Sequence, residues 1–129
     1  MLINMKDLLH VARANQFGVG AFNIASAEFA RLVIEVAEKL RSPVILEIHP
    51  EEHEFVGDAF IGYLRALATA ATVPVVIHQD HGQSFEHAMR AIRTGYTSVM
   101  IDASALPLEE NIAITRRVVE AAHTVNVSV

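Results

Sequence analysis

Val73-Pro74-Val75-Val76-Ile77-His78-Gln79-Asp80-His81-Gly82 is the stretch on which the reading of this chain turns. A short run of β-branched residues has the length and composition of a buried strand, and it ends abruptly in two histidines, a carboxylate and a glycine. Parallel α/β sheets, open or closed, place their chemistry at the C-terminal ends of their strands. A buried ionisable group needs a partner or changes its protonation state, so this cluster calls for a metal, a substrate or mutual pairing.

Outward from that strand, the hydrophobic period alternates between 2 and 3.6. Downstream, Ser84 to Thr94 reads as a helix closed by Gly95, Tyr96 to Asp102 as a strand, the segment from Pro107 to about His123 as a long helix, and Val125 to Val129 as the start of a fifth strand. Upstream, a helix is expected over about Gly57 to Ala71, preceded by a polar loop, His49 to Glu54, and by the strand Val44 to Ile48. Ser26 is expected to cap a helix whose apolar stripe is Phe29, Val33, Val36, Ala37 and Leu40, stopped at Ser42-Pro43. Phe17 to Ile24 reads as the first strand, and Asn4 to Ala14 as an opening helix with Asn4 at its cap.

A helix followed by repeated β/α units of about 25 to 30 residues is the signature of a parallel sheet, so the fold class is α/β. Two architectures fit. A doubly wound open sheet of the flavodoxin type closes within 129 residues. A (β/α)8 TIM barrel needs roughly 250 residues, which would make the chain its first half. The strand-like Val125 to Val129, with no covering helix after it, favours the barrel.

Composition narrows the function. The chain is 52% hydrophobic and 19% charged with a net charge of -5, the balance of a globular protein with a sizeable core. Without clustered lysine or arginine, neither nucleic acid nor an anionic membrane is expected as a main partner. The absence of cysteine excludes disulfides, thiolate metal ligands and cysteine nucleophiles, and fits a cytoplasmic location. The N-terminus has no apolar signal core, and nothing in the sequence approaches a membrane-spanning length.

Five blocks, Gly20-Ala21-Phe22-Asn23, Ser42-Pro43-Val44-Ile45-Leu46, Pro74 to Gly82, Thr97 to Asp102 and Glu109-Glu110-Asn111, together resemble the N-terminal half of the zinc-dependent class II ketose-bisphosphate aldolases. They follow the family's order and spacing across residues 1–129, which would then form the N-terminal half of a single barrel domain. The resemblance implies a homo-oligomeric lyase with Zn2+ as cofactor. Its reaction would be the reversible aldol cleavage of a ketose 1,6-bisphosphate, of fructose or tagatose type, to dihydroxyacetone phosphate and an aldehyde.

Such cleavage leaves an enediolate, and without an imine-forming lysine it needs a Lewis acid to hold the developing charge. By similarity, His81 is expected to be one of three histidine ligands of the zinc, and Asp80 to carry the proton between the substrate hydroxyl and the aldehyde oxygen. Asp102 matches a residue that lines a second or alternate metal position, and Asn23 and His49 fall in the substrate region. Adjacent residues of a regular strand point to opposite faces, so Asp80 and His81 can share a pocket only where the strand opens, a bend that Gly82 is expected to allow. The family's other zinc histidines, its phosphate loops and its proton-abstracting glutamate lie beyond the segment matched here. The resemblance therefore implies that the 129-residue chain alone is inactive. Where the family often has Ser or Thr, this chain has His49 followed by Glu51, Glu52 and Glu54, and these carboxylates repel a phosphate.

Plainer readings stand beside these. Asp80 with His81 can be a structural pair, His78 a packed residue bonded to a neighbour, and Asn23 and Asp102 turn caps. His49 and His53 read as a solvated loop, His10, His87 and His123 as surface residues, and Phe29, Phe55 and Phe85 as core. Two other functions remain open at this level. One is a non-catalytic aldolase-like subunit, the other a self-contained flavodoxin-like binding domain with Mg2+ at its strand ends.

Overall fold

A computed structural model describes residues 1–129. Six helices and four strands follow one another as α1 (Met5–Ala14), β1 (Gly20–Asn23), α2 (Ala27–Leu40), β2 (Val44–Ile48), α3 (Pro50–Val56), α4 (Asp58–Ala70), β3 (Val75–Gly82), α5 (Phe85–Thr94), β4 (Ser98–Ile101) and α6 (Leu108–His123). All strand pairs are parallel, and the sheet order is β1-β2-β3-β4. That order separates the two architectures. A flavodoxin-type sheet reverses its strand order after the first unit, whereas a barrel adds each strand beside the last. The sheet is thus an arc of the barrel type.

The helix starts follow from their caps. Asn4, Ser26 and Ser84 accept hydrogen bonds from the backbone N–H groups of Asp7, Phe29 and His87 at 2.9, 3.2 and 3.1 Å. Gly95 closes α5 in the left-handed region at φ 106°, as the sequence suggests. At the end of α2 that conformation falls to Arg41, at φ 51°, just before Ser42-Pro43.

Strand alternation sorts the core into two sets. Val44, Leu46, Ile48, Val75, Ile77 and Val99 face the helices and pack with Ile34, Ile61, Leu64, Tyr96 and Val118. Ile45 and Val76 face the other way, where Leu8 of α1 covers them. Residues in register with these alternate positions, Glu47 and His78, share that second face further along the strands.

Several sequence expectations are corrected. His49 to Glu54 is not a loop. Pro50 occupies the first turn of α3, and His49 and Glu52 form a capping box, with the His49 N–H donating to Glu52 Oε2 at 3.1 Å. His53 is accordingly buried, and its Nε2 donates to Asp58 Oδ1 at 3.1 Å. The core stripe of α2 is Ala30, Ile34 and Ala37, so of the expected set Ala37 is buried and Val33 packs partly against the core. Phe29, Val36 and Leu40 remain exposed beside edge strand β1. Phe55 is 88% exposed and so belongs to no core, whereas Phe85 packs against the core beneath the Arg117 guanidinium, 4.1 Å from its ring centre. Val125 to Val129 contributes only an isolated parallel bridge, Ser98 to Ser128. His10 and His123 are exposed, while His87 is half-buried and its Nδ1 accepts from the Gln83 N–H at 3.4 Å.

The helix-facing core carries the stability. Leu46→Ala, at a fully buried position, is expected to cost about 2–5 kcal/mol in urea unfolding of the protein. A cost below ~1 kcal/mol would show that this layer is loosely packed.

Candidate active site at the C-terminal ends of the strands

The site is built where β3 stops being regular. Gln79 faces the helices, is buried, and donates through Nε2 to the His87 carbonyl at 3.1 Å. By alternation Asp80 faces the opposite side, with His78. The next residue should return to the helices, but the pairing of β3 with β4 shifts between Gln79 and Gly82, a β-bulge. His81 takes φ 50° within it. The bend thus sits at His81 itself, and Gly82 serves a different need. A side chain at Gly82 would collide with the Met100 carbonyl and come within 2.7 Å of Gln79 Oε1. Beyond the bulge the ladder resumes, with the Asp102 N–H donating to the Gly82 carbonyl at 2.7 Å.

The bulge turns His81 onto the same side as Asp80, with His81 Nε2 3.8 Å from Asp80 Oδ1. His81 Nδ1 donates to Asp102 Oδ2 at 2.8 Å, and the other oxygen, Asp102 Oδ1, accepts from the Ser104 N–H at 3.1 Å and the Ser104 hydroxyl at 2.7 Å. Asp102 therefore closes the turn that follows β4 and also orients His81. Its carboxyl is held down at about 2, first by the Ser104 hydroxyl and then by His81. His81 is raised above the usual imidazole value, first by the bond to Asp102 and then by the charge of Asp80.

His78 behaves in the opposite way. It is half-buried, and desolvation lowers it to about 4, so it is neutral at pH 7. Its Nδ1 lies 2.9 Å from Ser98 Oγ, the bond to a neighbour that its plainer reading anticipates. His49 brings its ring to 6.2 Å from the His81 ring while its Nδ1 accepts from the Glu51 N–H at 3.3 Å, so it stands at the rim of the site. Asn23 lies exposed at the end of β1, in register with Glu47.

Glu47 is the residue that sequence reasoning passed over. It carries a half-buried carboxylate beside Asp80, and its carboxyl is raised, first by burial and then by the charge of Asp80. The signal was present, as the one carboxylate within the apolar run Val44–Ile48. On the same face, an open cavity of ≈ 610 Å³ between α1 and β4 has His78 and Ser98 in its wall.

The donors fit a metal centre in part. With Nδ1–H engaged by Asp102, neutral His81 presents the Nε2 lone pair to the pocket, the arrangement in which a carboxylate fixes the tautomer of a metal-binding histidine. A catalytic zinc normally takes three protein ligands, of which this histidine would be one.

Two outcomes check this geometry. In metal-free protein, an NMR titration of His81 should give a pKa above the ordinary value that falls toward it in Asp102→Asn; no change on substitution would remove Asp102 as the cause. Gly82→Ala should destabilise by ~1–3 kcal/mol in urea, against ~0.5 kcal/mol or less for Gln83→Ala on the exposed neighbour.

Residues 3–129 match the family described as Fructose-bisphosphate aldolase class-II. The fructose-bisphosphate aldolase of Thermus caldophilus is 46% identical over 129 residues, covering 100% of this chain and 42% of that protein. That of Geobacillus stearothermophilus is 43% identical over 132 residues, covering 99% of this chain and 46% of its own length. Among solved structures, the YdjI aldolase from Escherichia coli K12 superposes with a TM-score of 0.90 at 35% identity, over 98% of this chain and 48% of that one. The Campylobacter jejuni fructose-bisphosphate aldolase, at 23% identity and a TM-score of 0.82 over 98% of this chain and 45% of that one, shares the fold. The chain thus spans about half the length of the relatives it matches. With the family match running over nearly the whole sequence, this chain belongs to the class II fructose-bisphosphate aldolase family.

Proposed function

We propose that the full-length protein is a zinc-dependent aldehyde-lyase. Its reaction is the reversible cleavage of a ketose 1,6-bisphosphate, of fructose or tagatose type, to dihydroxyacetone phosphate and an aldehyde. The observation that carries the reading is the β-bulge that puts Asp80 and the Asp102-bound His81 on one side of β3.

In this reading, His81 holds the zinc through Nε2, with further ligands supplied from outside these 129 residues. The ion, once bound, supplies a Lewis acid to the ketose carbonyl. Asp102 keeps His81 in the donating tautomer and holds its ring in place, beside its expected part at an alternate metal position. Asp80 takes the proton from the hydroxyl beside the breaking carbon–carbon bond and returns it to the aldehyde oxygen in the reverse direction. His49 and Asn23, at the rim and at the end of β1, contact the sugar. Glu51 and Glu52 in the first turn of α3 disfavour a phosphate there, so the phosphates of the substrate bind elsewhere on the rim.

This arc alone carries one histidine of the metal centre and is inactive without the remainder of the barrel. The active form is a homo-oligomer in the cytoplasm. Two observations are compatible with that setting: the chain has no cysteine, and no helix is long and apolar enough to cross a membrane.

The test uses the full-length protein, assayed for aldol cleavage with and without a chelator. Chelation should abolish turnover and one equivalent of Zn2+ per chain restore it. Asp80→Ala should lose at least ~10²-fold in kcat while keeping the ion held by His81, whereas His81→Ala should lose that ion and activity. An unchanged metal count and turnover in His81→Ala would refute the ligand assignment.

A further inference from the structure

Glu47, His78 and Asp80 each place one ligand atom so that all three lie within 4.8 Å of one another. Glu47 and His78 are direct register partners on β2 and β3, and Asp80 follows two positions along β3 on the same face. Two adjacent backbones already joined by ladder hydrogen bonds therefore fix the set. His78 has its Nδ1 near Ser98 Oγ, at 2.9 Å, and its Nε2 has no hydrogen-bond partner within the chain. The charged group near Asp80 is His81, at 3.8 Å, and the arginine ion pairs of the chain are made with Glu35, Glu54 and Asp58. Two carboxylates at this spacing on a half-buried face, with no lysine or arginine paired to either, repel one another.

We propose that Glu47, His78 and Asp80 form a second divalent-cation site, separate from the centre assigned to His81 and meeting it at Asp80. Two carboxylates and one imidazole make a donor set for a borderline first-row dication such as Zn2+ or Mn2+. A dication bound there neutralises the carboxylate pair and uses the free nitrogen of a histidine that is already neutral. It also ties up the carboxylate assigned to proton transfer, so occupancy of this site opposes turnover. That last consequence rests on the role proposed for Asp80; the binding does not.

The test is a count of bound ions. Full-length protein is stripped with a chelator, dialysed to equilibrium against Zn2+, and analysed for metal per chain, with far-UV circular dichroism as the check on folding. The wild type should hold about two ions per chain, one in each centre. Glu47→Gln and His78→Gln, on different strands, should each lose about one, and His81→Ala should lose the other. A wild-type count near one that Glu47→Gln and His78→Gln both leave unchanged, each with a wild-type circular dichroism spectrum, overturns the second site. If instead Glu47→Gln removes an ion and His81→Ala removes none, the second site stands and the His81 centre falls.

Discussion

The whole candidate site depends on one local constraint, the left-handed turn of His81 inside the bulge between Gln79 and Gly82. A non-glycine residue at φ 50° costs of order 1–2 kcal/mol relative to a regular strand. The structure around it compensates. Gln79 is anchored into the helical layer through the His87 carbonyl, Gly82 fits against the Met100 carbonyl, and Asp102 bonds both the His81 ring and the Gly82 backbone. Released from this turn, His81 would point toward the helices, and the pairing with Asp80 on which the proposed chemistry rests would disappear.

Environment then assigns opposite electrostatic roles to two histidines three residues apart. His78, half-buried beside Ser98, is kept neutral at pH 7. His81, exposed and facing two carboxylates, holds its proton more tightly than a free imidazole until something replaces it. A cation at Nε2 is such a replacement, so metal binding at His81 is expected to release a proton and to weaken as pH falls. Sorting similar groups by burial and neighbours is how one strand end can offer both an acid–base pair and metal donors.

Much of this was legible in the sequence, because it rests on local signals. Asn4, Ser26 and Ser84 announce their helices, Gly95 closes α5, and the apolar run before His78 marks the strand that carries the site. What was not legible depends on tertiary position. His49-Pro50-Glu51-Glu52 reads as polar loop by composition, yet its capping box makes a helix that buries His53 against Asp58. Of the stripe Phe29, Val33, Val36, Ala37 and Leu40 that reads as the core face of α2, only Ala37 is fully buried, beside Ala30 and Ile34. Glu47 looks like an isolated carboxylate until the register of β2 on β3 sets it beside His78. Similarly, the part played by Asp102 emerges only when its two oxygens are seen to divide between His81 and Ser104.

The central claim is that Asp102 fixes His81 so that Nε2 is the metal-binding nitrogen of this family member. Anomalous diffraction at the zinc edge, from crystals of the full-length protein, tests it most directly. The account predicts a zinc peak about 2.0–2.1 Å from His81 Nε2, with Nδ1 still bonded to Asp102. A zinc ion on Nδ1, or one that leaves His81 uncoordinated, would contradict it.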